Sequence, residues 1–113
     1  MALFRGFDIQ GGMQNGKITI LARIHAKPEH SVKIKEWVMT KLIPQTRAEP
    51  GCLQYDFHQS HNDENLFVFF ENFKDQAAFD FHANAPYTKE FLTAMETMTR
   101  DGGVKVDILH HIA

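Results

Sequence analysis

Hydrophobic periodicity along this chain runs strand, helix, strand, strand, helix, strand, and that order restricts the possible folds more than any single residue does. Residues 17–25 set Ile18, Ile20, Ala22 and Ile24 against Thr19, Leu21, Arg23 and His25, a β-branched alternation that suits a strand with both faces partly apolar. Lys27-Pro28-Glu29 stops it and offers a helix start, after which Ile34, Val38 and Leu42 recur at helical spacing. Trp37, Met39 and Ile43 broaden that stripe, so this helix should touch neighbours on two sides. Pro44 should kink or end it, a further turn through Gln45 to Ala48 can follow, and Glu49-Pro50-Gly51 makes a firm stop. Residues 52–59 and 66–73 alternate again across the polar loop Ser60-His61-Asn62-Asp63-Glu64-Asn65, which reads as an antiparallel hairpin. Asp75 can cap a second helix in which Ala78, Phe81, His82 and Ala85 share a face, and Pro86 marks a boundary before 87–99 continues helically. After Asp101-Gly102-Gly103, Val104, Val106, Ile108 and His110 form one face of a final strand, with Leu109 on the other.

This order is the split βαβ arrangement of a ferredoxin-like α+β domain. Its helices cover one face of the sheet, and the other face still carries apolar residues with no helix left to cover them. Pairing sheet against sheet in a homodimer is the expected remedy. The chain's 113 residues make one domain with a thin core, here residues 17–113. Residues 1–16 are interrupted by Gly6, Gly11, Gly12 and Gly16 and read as a flexible arm. Its Phe4, Phe7 and Ile9 could dock on a partner subunit, though a disordered leader or a true start at Met13 is the plainer account.

Twelve Lys and Arg against 14 Asp and Glu give a net charge of −2, without the basic footprint that nucleic acid requires. Cys52 is the only cysteine, which excludes an intrachain disulfide and a cysteine-based metal cluster and suits the cytoplasm. Lacking a helix start or basic neighbour, it reads as a small buried hydrophobe. No apolar run approaches the roughly 20 residues of a membrane span, and no secretory signal is expected.

No phosphate-binding glycine loop, dinucleotide fingerprint or nucleophile elbow is present, so no cofactor is expected from motifs. Within 66–73, Glu71 shares a face with Phe67, Phe69 and Phe73, where an unpaired carboxylate is costly. His82, on the apolar face of the following helix, can supply the hydrogen bond. The pair reads in two ways: His82 as a general base oriented by Glu71, or two core residues satisfying each other. Phe67, Phe69, Phe73 and Phe79, with Trp37 or Tyr87, either line a flat pocket for an aromatic ligand or simply fill the core. Arg23 points to the opposite sheet face from Ile24 and could meet an anion, a surface ion pair being the simpler role. His58 with His61, or His110 with His111, have poor ligand spacing, and no metal site is expected.

Arg47-Ala48-Glu49-Pro50-Gly51-Cys52-Leu53-Gln54-Tyr55, then Phe70-Glu71-Asn72-Phe73, then Ala78-Phe79 followed by His82 and Pro86-Tyr87 together resemble the antibiotic biosynthesis monooxygenase family, over about 18–112. The resemblance implies a dimeric α+β barrel with a cavity between helices and sheet in each subunit, Glu71 and His82 lying near it. It further implies oxidation of a quinol or related aromatic by dioxygen without flavin, haem or metal. The walls would be Phe67, Phe69, Phe73, Phe79, Tyr87 and Trp37. Phe73 stands where many members have Trp, so no indole donor is available there. The haem-degrading branch is disfavoured, because 17–25 contains no Asn and 86–100 no His. A sister branch that isomerises a phosphorylated sugar is similar around 70–87, which leaves a small-molecule isomerase, with Arg23 or a Lys at an anionic substrate, and a non-catalytic ligand-binding module as alternatives.

Overall fold

The computed structural model describes residues 16–113, and the arm read over 1–16 lies outside the described residues apart from Gly16. Where apolar residues alternate the chain is extended. Strands β1 (Ile18–His25), β2 (Cys52–Gln59), β3 (Leu66–Phe73) and β4 (Lys105–His110) form one antiparallel sheet in the order β2-β3-β1-β4. This is the ferredoxin-like α+β topology that the periodicity predicts. Register aligns Ile20, Glu71 and Tyr55 in one row across the sheet and Ala22, Phe69 and Phe57 in the next. The helices pack on the face that carries these rows, so Glu71 points into the hydrophobic core.

The alternation expected for β2 breaks at its start. Cys52 lies opposite Phe73 but Gln54 lies opposite Asn72, so Leu53 is an extra residue and bulges into solvent. The bulge lets Cys52 and Tyr55, three positions apart, both fall opposite inward-facing residues of β3.

Pro44 does not end the first helix. A 3-10 turn (Pro28–His30) leads into α1 (Ser31–Trp37), a π-helical turn (Val38–Leu42) and α2 (Ile43–Arg47) without a break. The wide turn is the physical reason: Ile43 N–H donates to the Val38 carbonyl, five residues back, which loosens the spiral where Pro44 has no N–H to donate and its ring needs room. Ile34, Val38 and Leu42 are buried as expected, and Trp37 and Ile43 pack against the core beside them, whereas Met39 is 55% exposed.

Asp75 caps α3 (Gln76–Asn84), accepting the Ala78 N–H at 2.8 Å. The buried face of α3 is Phe79, His82 and Ala83. Phe81, expected on that face, is 59% exposed, since it lies about 100° from its neighbours on the helical wheel and the sheet covers only the other side. Ala85 is extended (φ −64°, ψ 140°), as a residue before proline should be, and α4 (Pro86–Met98) restarts from it.

On the outer sheet face a ladder runs from Thr19 to Asn72, Gln54, Asp56 and Arg47. Arg47 also donates to the Tyr55 carbonyl at 2.9 Å, closing part of the edge of β2.

The turn between α2 and β2 reaches α3 because Gly51 has no side chain: a Cβ there would lie 2.2 Å from that of Ala78 and 3.3 Å from its Cα. Gly51→Ala is therefore expected to destabilise the fold by about 1–3 kcal/mol through overpacking. Chemical denaturation checks this, and an unchanged midpoint would mean that the turn can withdraw from α3 at no cost.

Candidate active site

A buried imidazole with a carboxylate on either side forms the centre of the site. His82 lies in the last turn of α3, is 5% exposed, and stacks on Phe73 with ring centroids 5.0 Å apart. The ring of Tyr55 meets it edge-on at 5.5 Å. These contacts hold the ring in place and leave its two nitrogens to make the polar contacts. Nδ1–H donates to Glu49 Oε2 at 3.0 Å, a bond that fixes the tautomer and leaves the Nε2 lone pair free. Nε2 looks toward Glu71 Oε1, 4.0 Å away.

That distance changes the expected pairing. Glu71 shares the site with His82 but does not hydrogen-bond it; Glu49 does. Sequence reasoning found Glu71 because strand alternation identifies its face, and treated Glu49 only as part of a chain stop. The available signal was Gly51, two residues on, where a glycine can bring a turn against a helix. Glu49 is 6% exposed, and its Oε2 also accepts the Tyr87 O–H at 2.5 Å. Tyr87 is thus anchored to Glu49 rather than being a wall, and burial with the adjacent carboxylate raises its hydroxyl pKa, keeping it a donor.

Glu71 has no hydrogen-bond donor in reach among the described residues. Its neighbours across the sheet are Ile20 and Tyr55. Burial, and then repulsion from Glu49, push its pKa up to about 8, so it is a neutral carboxylic acid at pH 7. Burial holds the Tyr55 hydroxyl well above its ordinary value and lifts the Cys52 thiol to about 11. Cys52 is half-buried and un-ionised, an inert thiol.

A narrow cavity of about 30 Å³, room for a water molecule or two, opens where Glu71, His82, Phe69, Phe79, Thr88 and Phe91 meet. Ile20, Leu42, Leu92 and Val106 supply its aliphatic wall. Thr88, absent from the sequence-based set, is 5% exposed and its Oγ1 has no partner among the described residues, so it offers a hydrogen-bonding point to a ligand. Phe67 and Phe73 do not line the cavity: Phe67 stacks on Phe57. Trp37 packs edge-on against Phe91 at 5.2 Å, outside the cavity. Arg23 is exposed on the opposite face, because odd positions of β1 point away from the helices, and no Lys or Arg lines the cavity. Among the described residues no group of three or more His, Cys, Asp or Glu could hold a metal ion, and no helix is long and apolar enough to cross a membrane.

A family model described as antibiotic biosynthesis monooxygenase matches residues 17–94. An uncharacterised Synechocystis protein is 33% identical over 85 residues, 75% of this chain, which spans 56% of that relative's length. The Bacillus subtilis protein named "Putative monooxygenase YcnE" is 35% identical over 75 residues, covering 66% of this chain and 78% of its own. The crystal structure of PA3566 from Pseudomonas aeruginosa is 34% identical with a TM-score of 0.77, covering 88% of this chain and 98% of its own.

Glu71 also sets a pH dependence of stability. Its folded pKa of about 8 lies above its ordinary 4.5, so its contribution is most favourable below pH 4.5 and is lost as pH rises through 8. Glu71→Gln is expected to gain stability over the native chain between pH 5 and pH 9, by on the order of a few kcal/mol. Melting curves across that range check it; a constant difference would mean that Glu71 is ionised throughout.

Proposed function

This chain belongs to the antibiotic biosynthesis monooxygenase family, and from that premise we propose that it is a cofactor-independent monooxygenase that oxidises a quinol or related aromatic with dioxygen. The observation that carries this reading is the Nδ1–H bond from His82 to Glu49 at 3.0 Å, which leaves Nε2 as a base at the cavity. In this scheme Nε2 takes a proton from the substrate hydroxyl. The electron-rich anion then reduces dioxygen, and the closed apolar surroundings hold the reacting pair together until a carbon–oxygen bond forms. Glu49 positions His82 and stabilises its cation; Tyr87 in turn holds Glu49. Phe69, Phe79 and Phe91 furnish aromatic walls. The substrate supplies its own electrons, so the mechanism calls for no metal or redox cofactor.

An aromatic ring is larger than the present cavity, and its admission requires the aliphatic wall to move. Leu42 is the last residue of the π-helical turn, where the backbone is already loosened, and it is the side chain expected to yield. An isomerase acting on a phosphorylated substrate fits poorly, because the cavity presents the carboxyl group of Glu71 and no Lys or Arg. The narrowness of the cavity supports a second reading, in which His82 and the two glutamates are a satisfied core cluster in a non-catalytic module. One pair of variants separates the two. After exhaustive chelation, His82→Gln and Glu49→Gln should each lower quinol oxidation, His82→Gln by about 100-fold or more. Native turnover in a less stable His82→Gln protein would exclude His82 as the base, and a native protein that oxidises no quinol would leave the module.

We further propose a cytoplasmic homodimer joined through the outer sheet face. Leu21 and Val68 are half-buried there, with Phe70 and Leu109 at 36% and 45% exposure. Burial of this patch would complete a barrel and remove apolar surface from water. Sedimentation at micromolar concentration should show a dimer, and Phe70→Asp a monomer. A native monomer would exclude the barrel.

A further inference from the structure

Glu71 has no task in the scheme above, although it is a buried carboxyl group on the cavity wall beside the proposed base. Resting on the monooxygenase reading, we propose that Glu71 is the general acid of the reaction, delivering a proton to the peroxide formed from dioxygen and taking one back from the substrate carbon.

The argument begins with charge. One imidazole stands between two carboxyl groups, and neither a Lys nor an Arg lines the cavity. With its one N–H the imidazole can hydrogen-bond one of them, not both. Glu49 is the one supplied with donors: its Oε2 accepts both the His82 Nδ1–H and the Tyr87 O–H. Glu71 accepts no hydrogen bond among the described residues, and its row in the sheet offers only Ile20 and Tyr55. Groups facing it from the packed elements are His82 from α3, Thr88 from α4, Glu49 from the turn before β2, and Tyr55 and Cys52 from β2. The last two stay neutral through the physiological range, and β1 supplies no ionisable group in that row. A carboxyl placed so keeps its proton, in agreement with its pKa of about 8. It lies 4.0 Å from Nε2, so acid and base address one small volume from the sheet side and the helix side.

The steps balance. His82 Nε2 takes the hydroxyl proton of a quinol. The resulting anion gives two electrons to dioxygen as a bond forms between a ring carbon and oxygen. Glu71 protonates the terminal oxygen and becomes a carboxylate. That carboxylate removes the hydrogen from the same ring carbon, a carbonyl forms, the O–O bond breaks, and the His82 cation protonates the departing hydroxide. One oxygen atom enters the product, the other leaves as water, and both residues regain their starting protonation.

Hydroquinone is the probe, with labelled dioxygen to follow incorporation into the hydroxyquinone. In the native protein, product formation should fall about tenfold per pH unit above pH 8, as the acid is lost. Glu71→Gln should form product at least tenfold more slowly at pH 7 and lose that alkaline limb, and Glu71→Asp should recover the limb. Native rate and native limb in Glu71→Gln would overturn the proposal while leaving the base reading intact, whereas unimpaired oxidation by His82→Gln would overturn the base reading itself. Infrared spectroscopy gives a readout that needs no turnover. A carboxylic-acid carbonyl band should be present at pH 7, vanish above pH 9 and be missing from Glu71→Gln; an unchanged spectrum in that variant would also overturn the assignment.

Discussion

Burying one imidazole between two carboxyl groups is the constraint around which this small domain is arranged. An ion removed from water must find partners or neutralise, and each of the three groups meets that demand differently. Glu49 gathers two donors on one oxygen, His82 gives one of its nitrogens to Glu49, and Glu71 keeps a proton. Their supports come from different parts of the chain: a capped helix for His82, a central strand for Glu71, and a glycine-dependent turn for Glu49. The site can assemble only when sheet and helices have docked, so its chemistry depends on tertiary packing and not on any local motif.

Two departures from regular structure lie beside that cluster. The bulge at Leu53 resets the phase of β2 so that Tyr55 faces the core in the same row as Glu71. The π-helical turn before Pro44 keeps the first helical stretch continuous, and its last residue, Leu42, reaches the cavity wall. In each case a local cost in regularity gives a side chain a direction that an ideal strand or helix would deny it. Neither can be read from hydrophobic spacing, which reports the average period of a segment and not an added residue or a widened turn.

This explains which parts of the molecule were legible in the sequence. The succession of strands and the shared face of Glu71, Phe69 and Phe67 follow from period-two alternation, and the Asp75 cap follows from residue type. The exposure of Phe81 was missed because a helical stripe does not say how wide the facing surface is. Glu49 was missed for a different reason: its contact with His82 spans 33 positions and depends on a turn folding onto a helix. Trp37 and Phe67 were aromatic residues of the right kind in the wrong layer, one against Phe91 and the other against Phe57. Residue type identifies candidates for an aromatic wall, but only packing selects among them.

The separation of charge between the two sheet faces limits what this scaffold can recognise. Arg23 and Lys105 stand side by side in the register on the outer face, while the inner face has carboxyl groups and no Lys or Arg at its cavity. An anionic ligand entering the cavity would find no cation there and would have Glu49 close behind the imidazole, with little water to screen a repulsion. A neutral phenol meets no such opposition, and its hydroxyl is a donor matched to the free Nε2. On the proposed reading, the same arrangement that keeps Glu71 protonated would also discriminate among substrates. Replacing Glu49 by Gln would weaken both effects, although burial, the larger cause of the proton on Glu71, would remain.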